Sequence, residues 1–116
     1  MKVGAIAKDI RVSPRKAKLA VDMVRGKKVD EALTVLQFTP TRAARAVSKV
    51  IKSATANAEN NFQMEPSELR ISDISAHEGH TLKRFRPQAR GRVNPILKRS
   101  THISVFVSGE ERLDGT

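Results

Sequence analysis

From Gly79 to Arg99 the chain reads GHTLKRFRPQARGRVNPILKR, a stretch with seven basic side chains (Lys83, Arg84, Arg86, Arg90, Arg92, Lys98 and Arg99) and no acidic one. No carboxylate occurs between Glu78 and Glu110. Neighbours along the chain therefore cannot neutralise this charge, and the anions must come from outside. The stretch is too sparsely apolar for a packed core, and Pro87, Gly91 and Pro95 interrupt it. Yet Leu69 to Ala76 before it and Lys98 to Ser108 after it read as strands. A basic segment between two strands is either a solvated loop, the usual fate of a charge run, or an extended β-arm.

The rest of the chain has to support that segment. With 116 residues, 39% of them hydrophobic, it suits a single domain over 1–116 with one modest core, the arm occupying 79–99. A net charge of +10 attracts polyanions and releases their counterions on binding. An anionic membrane is the weaker partner, because the basic stretch lacks the apolar helix face of an interfacial anchor. The chain has no cysteine, which removes disulfides, thiolate catalysis and cysteine zinc sites and suits a reducing cytosol. The start, MKVGAIAKDI, has too short an apolar run for a signal peptide. These features predict a soluble cytoplasmic protein with no membrane partner.

Taken in order, Val3 to Val12 interleaves Ile6, Ile10 and Val12 with Lys8, Asp9 and Arg11, the pattern of a partly exposed strand. Ser13-Pro14 supplies an N-cap and a proline at the first helical position. The helix from Pro14 to Arg25 sets Ala17, Ala20, Val21 and Val24 on one face, and Gly26 ends it. A shorter helix from Asp30 carries Ala32, Leu33, Val35 and Leu36 and stops before Thr39-Pro40. The longest helix, Thr41 to about Asn60, buries Ala43, Ala46, Val47, Val50, Ile51, Ala54 and Ala58. Arg42, Arg45, Lys49 and Lys52 form a stripe opposite, with no acidic residue at i+4 to any of them. That stripe is a solvated face or a polyanion site. Asn57, Asn60 and Asn61 suit termination of this helix, and Phe38 and Phe62, near helix ends, are expected in the core.

The strand from Leu69 changes parity between Leu69/Ile71 and Ile74/Ala76, which predicts a bulge near Ser72-Asp73. Thr101, Ile103, Val105 and Val107 alternate cleanly in the last strand, and the polar tail from Gly109 is expected to fray. The order β, three α, then β, arm, β gives an α+β fold: three helices packed on a small antiparallel sheet, with a long protruding β-hairpin.

The residues offer little chemistry. His77, His80 and His102 have no cysteine or carboxylate pair to complete a metal set, and read as surface residues or RNA contacts. There is no nucleophile elbow and no phosphate-binding glycine loop. The expectation is no enzyme, no cofactor and no metal. Four Phe and no Tyr or Trp disfavour base stacking on a sheet, although Phe85 in the arm could stack on one base. What remains is phosphate and shape recognition by Arg and Lys. Architectural DNA-binding proteins also carry basic, proline-bearing hairpins, but they are dimers with two arms. Here one apolar helix face can be covered by the chain's own sheet, which predicts a monomer when free.

The runs SPRKAKLAVDMVRGKKVDEAL, SATANAENN and, above all, LKRFRPQARGRVNPILKRSTHISVFVS resemble the L-twenty-two family of large-subunit ribosomal proteins, from about Ile6 to Val107. The family's arm motif is approximately R-x-x-P-R-A-x-G-R-A followed by I-x-K-R-x-S-H-I. Arg84, Pro87, Ala89, Gly91, Arg92, Ile96, Lys98, Arg99, His102 and Ile103 stand at the matching places. Gln88 stands where the family usually has Arg, Val93 where it has Ala, and Thr101 where it has Ser.

The resemblance implies a domain on the outer surface of the large ribosomal subunit near the mouth of the polypeptide exit tunnel. Its hairpin would reach inward between rRNA domains and line the tunnel wall, and the family aids subunit assembly. Carried over, Lys83, Arg84, Arg86, Arg90, Arg92, Lys98 and Arg99 are expected arm contacts to rRNA. Arg15, Lys16 and Lys18 of the SPRKAK run are expected as further ones. Leu82, Lys83, Arg84, Gln88, Ala89, Arg90 and Gly91 fall in the tunnel part of the hairpin. Leu82 to Arg84 matches the segment associated with macrolide resistance, although Leu82 is Met in many relatives. Arg42, Arg45, Lys49 and Lys52 are rRNA candidates on charge geometry alone. Expected partners are large-subunit rRNA, other large-subunit proteins and, near the hairpin tip, the nascent chain.

Overall fold

A computed structural model of the chain describes residues 2–79, 82–87 and 93–109, with 82–87 and 93–98 described by their backbone. The first strand, β1, runs Lys2–Ile10. Ser13 then opens helix α1, Pro14–Val24, its hydroxyl accepting the Lys16 N–H at 3.4 Å. Ala17, Ala20, Val21 and Val24 are buried, as their spacing requires, and Gly26 leaves the helix at a φ of 76° that favours glycine. Helix α2, Val29–Gln37, follows, and then helix α3, Arg42–Phe62, whose cap Thr41 accepts the Ala44 N–H at 3.1 Å. A single 3₁₀ turn, Pro66–Glu68, leads into β2, Leu69–Glu78. The remaining strands are β3, Leu82–Pro87, β4, Val93–Lys98, and β5, Thr101–Gly109.

Strand β5 is the centre of a three-stranded antiparallel sheet in the order β1-β5-β2. It is regular, and each neighbour bulges against it. In β2 the register slips by one residue between Ile71 and Asp73. This is the predicted bulge, and it returns Ile74 and Ala76 to the buried side with Leu69 and Ile71. In β1 the slip lies between Ala7 and Ile10, where Asp9 takes a φ of 54°. The core side of β1 is therefore carried by Val3, Ala5 and Ala7. Ile6, expected among its apolar set, pairs across from Ser104 and is 58% exposed.

Helices α1 and α3 cover one face of the sheet, and α2 packs on both. The core runs from Ala17, Val21 and Val24 through Val47, Ile51 and Ala54 to Ile71, Ile103, Val105 and Val107. Burying that many aliphatic side chains at about 1.5–3 kcal/mol each supplies the main stabilisation of the fold.

Two phenylalanines depart from expectation. Phe38 is 77% exposed because the inward face of α2 is Val29, Ala32 and Leu36, and a residue two positions past Leu36 points roughly 200° away from it. Phe62 is half exposed because α3 overruns the sheet. Asn57 already lies over Gly4, donating Nδ2–H to its carbonyl at 3.2 Å, and Phe62 is about 7.5 Å further along the axis. Asn57 thus ties α3 to β1 rather than ending the helix. The left-handed cap residue is Gln63, φ 53°.

The strand expected from Lys98 to Ser108 is divided. Lys98 closes β4, and β5 begins at Thr101. Strands β3 and β4 form a sheet of their own, paired from Leu82 with Lys98 to Pro87 with Val93. Six pairs span about 20 Å. The hairpin continues the β2–β5 ladder outward, which reaches Gly79 donating its N–H to the Ser100 carbonyl at 2.9 Å. The next described pair outward is Leu82 with Lys98. The basic segment is an arm and not a loop. Gly109, expected to open a frayed tail, instead closes β5 opposite Leu69, and the rest of that tail, from residue 110, lies outside the described residues.

Candidate nucleic-acid interface

The arm is fixed to the domain by polar contacts where β1 and β2 end and β5 begins. Thr101, fully buried, donates its hydroxyl to the Val12 carbonyl at 2.6 Å. This ties the first residue of β5 to the turn that precedes α1. The bulged Asp9 donates its N–H to Nδ1 of His102 at 3.0 Å, and its carboxylate accepts the Ser100 hydroxyl at 3.4 Å. The Asp9 N–H thereby occupies the Nδ1 acceptor of His102. Expected as a surface residue or RNA contact, His102 is instead half buried and engaged at the arm root. His77, paired with it across the strands, is exposed, and His80 lies outside the described residues. Gly79 has no room for a side chain, since a Cβ there would stand 2.7 Å from Ser100 Oγ.

Of the predicted rRNA-contact and tunnel residues of the arm, Leu82, Lys83, Arg84 and Arg86 lie in β3 and Lys98 in β4. Arg99 is exposed at the root. Gln88, Ala89, Arg90, Gly91 and Arg92 lie outside the described residues, as does the side chain of Phe85.

On the domain, Arg15, Lys16, Lys18, Arg42, Arg45, Lys49 and Lys52 are all exposed, and with Arg99 they make eight cationic side chains with no ion pair among the described residues. The ion pairs of Lys2 with Asp73 and of Arg25 with Asp22 use other cations. Neither α1 nor α3 has an acidic residue in its first turn. Arg15, Lys16, Arg42 and Arg45 thus add charge where the helix dipole is already positive, an arrangement that a bound anion relieves.

The stripe on α3 lines a groove of about 1090 Å³ with Arg11, Ile6 and Ile10 from the β1 side and Leu33 and Gln37 from α2, and among the described residues no carboxylate lines it. Sequence reasoning placed the stripe opposite the apolar face. It did not show that the stripe meets the edge strand β1, or that Arg11 joins it.

Charge also differs between the ends of the domain. The start of α2 lies beside the start of β2, held by Ile71 donating its N–H to the Lys27 carbonyl at 3.0 Å. Asp30, Glu31, Glu65 and Glu68 stand there together with Lys27, Lys28 and Arg70, so acidic and basic side chains are mixed at that end. Arg11, Arg15, Lys16 and Arg42 gather at the root end, where Thr101 meets Val12. Among the described residues no cluster of three or more metal-ligating side chains occurs, and no helix is long and apolar enough to cross a membrane.

Comparison with known proteins follows the same geometry. The sequence pattern described as ribosomal protein L22p/L17e matches residues 5–108, which takes in the sheet, the helices and the arm. Proteins named large ribosomal subunit protein uL22 from three strains of Dehalococcoides mccartyi are 64, 63 and 63% identical over 108 residues, 93% of this chain and 99% of each of theirs. The chain belongs to the ribosomal protein L22p/L17e family.

Proposed function

We propose that this chain binds large-subunit rRNA through its hairpin and the basic end of its domain, aids subunit assembly and lines the polypeptide exit tunnel. A structural role in the ribosome, and with it a place in the cytoplasm, follows from the family. The finer reading rests on the eight exposed, unpaired cations gathered on the arm-bearing domain. A polyanion supplies the missing counter-charges, and an rRNA-filled environment accommodates a two-stranded arm, which is marginal in water. In this reading Lys83, Arg84, Arg86, Arg90, Arg92, Lys98, Arg99, Arg15, Lys16 and Lys18 contact rRNA. Arg42, Arg45, Lys49 and Lys52 add a second track, and Leu82 to Arg84 with Gln88 to Gly91 approach the tunnel and the nascent chain. The free protein is a single-domain monomer.

The test is binding to large-subunit rRNA as a function of salt. If the arm neutralises about six phosphates, log affinity falls against log salt with a slope of roughly −4 to −5. Replacing 83–92 by a short turn flattens that slope while the domain stays folded. An unchanged slope, or a preference for bent duplex DNA, refutes the assignment. A photo-reactive residue at position 90 tests the tunnel placement, which fails if stalled ribosomes yield no adduct with the nascent chain.

A further inference from the structure

A second groove, of about 670 Å³, lies between α1 and the start of α3, and its two ends differ in character. At one end stand Arg11, Lys16 and Arg42. At the other stand Leu19 and Met23, one helical turn apart on the same side of α1, 63% and 39% exposed. The buried Ala20 and Ala43 also line it, and among the described residues no carboxylate does. A single exposed leucine needs no explanation. An aliphatic pair beside three cations without ion partners, in one concave surface, has the composition of a docking site with a charged rim.

We propose that this groove receives an acidic segment of a neighbouring large-subunit protein. That segment lays an apolar side chain against Leu19 and Met23 and a carboxylate beside Arg11, Lys16 and Arg42, sharing Lys16 and Arg42 with the rRNA. The proposal rests on the family's place in the ribosome. Lys16 and Met23 are seven residues apart on α1, about 10 Å along the axis. An extended segment covers that distance in about three residues, so anchor and carboxylate are separated by two or three positions.

RNA matches this groove less well than it matches the groove on α3. Phosphates would pair the cations, but Leu19 and Met23 offer no π face on which a base can stack. The α3 groove has cations along a whole wall, whereas here they occupy one end only. A second copy of this chain could offer Phe62 between Glu59 and Glu65, but that contact joins opposite ends of the domain and would propagate into a filament instead of closing.

Incorporation of a photo-reactive residue at Met23, with irradiation of purified large subunits and peptide mass spectrometry, decides the matter. The expected adduct is with a peptide of another subunit protein that has Asp or Glu within about three residues of the attachment point. Leu19→Asp and Leu19→Asn, both at an exposed position outside the proposed rRNA contacts, should each lower its yield about tenfold, the effect of roughly 1.4 kcal/mol, while the chain still enters subunits. An adduct with rRNA, an adduct with this chain itself, a protein adduct insensitive to both substitutions, or no adduct in subunits that contain the chain would each overturn the proposal. Failure of the unsubstituted chain to enter subunits would overturn the ribosomal reading as well, which separates the two.

Discussion

Replacing Thr101 by Val tests whether the arm root is held by a hydroxyl or merely by packing. The side chain is fully buried and donates to the Val12 carbonyl at 2.6 Å. Valine preserves the volume and removes the donor, leaving that carbonyl without this partner beside Val12, itself 6% exposed. Such a loss costs about 1–3 kcal/mol, and the short distance and complete burial favour the upper half of that range. Thr101→Ser keeps the donor and loses one buried methyl, about 0.5–1.5 kcal/mol by analogy with Ile→Val.

Urea unfolding of the free protein, with m-values compared to establish that only stability has changed, should rank the natural chain first, the serine variant second and the valine variant last. At roughly 4–8 °C per kcal/mol for a domain slightly smaller than this one, Thr101→Val lowers Tm by several degrees. A valine variant as stable as the serine variant, or more so, would refute the assignment of the root to this hydrogen bond.

Three further outcomes follow from local geometry. A Cβ at Gly4 would lie 2.5 Å from two ring carbons of Phe106, so Gly4→Ala should cost about 1–3 kcal/mol. Combining it with Phe106→Ala should show strong coupling in a double-mutant cycle, and simple additivity would contradict the contact. Gly79→Ala should displace Ser100 and shift the NMR signal of the Asp9 amide, which bonds His102; an unmoved signal would mean the root contacts are independent. Asp73→Asn, which breaks an ion pair with Lys2 that is 58% exposed on both sides, should change stability by less than about 1 kcal/mol, and a larger loss would show the pair to be worth more than its exposure allows.

Where the fold was legible in the sequence, one local rule sufficed. Ser13-Pro14 and Thr41 mark helix starts because capping is a matter of adjacent residues, and the parity break at Ser72-Asp73 marks the bulge because a two-residue period shows any slip. The exposure of Phe38 and Phe62 is not legible from hydrophobicity alone, because helical phase turns the first outward and α3 outruns the sheet at the second. The α3 stripe was legible as charge, but its groove was not, since the opposite wall comes from β1, some forty residues earlier. Asp9 was not legible as an anchor of the arm. Its positive φ and its bond to His102 join positions 93 residues apart, and an αL-tolerant Asp in an apolar-alternating run was the available signal.

The unpaired cations imply a conflict between stability and binding that can be measured. Arg45 is the fourth residue of α3, with Arg42 three positions before it, Lys49 four after it and no carboxylate to offset either. Arg45→Glu turns two repulsions into attractions, one of them the favourable Glu-to-Lys i,i+4 order, each worth about 0.2–0.5 kcal/mol. It also places negative charge near the positive end of the helix, worth about 0.3–1 kcal/mol. The free protein should therefore gain about 1 kcal/mol and a few degrees in Tm. Binding should move the other way: affinity for large-subunit rRNA falls, and the salt slope shrinks by about one phosphate, roughly 0.7–0.9. If the stripe were only a solvated face, stability would rise while affinity and slope stayed unchanged. If Arg45 held the fold by a packing contact of its own, stability would fall with affinity. Only a stripe kept for its anionic partner, at a cost to the free domain, gives opposite signs in the two measurements.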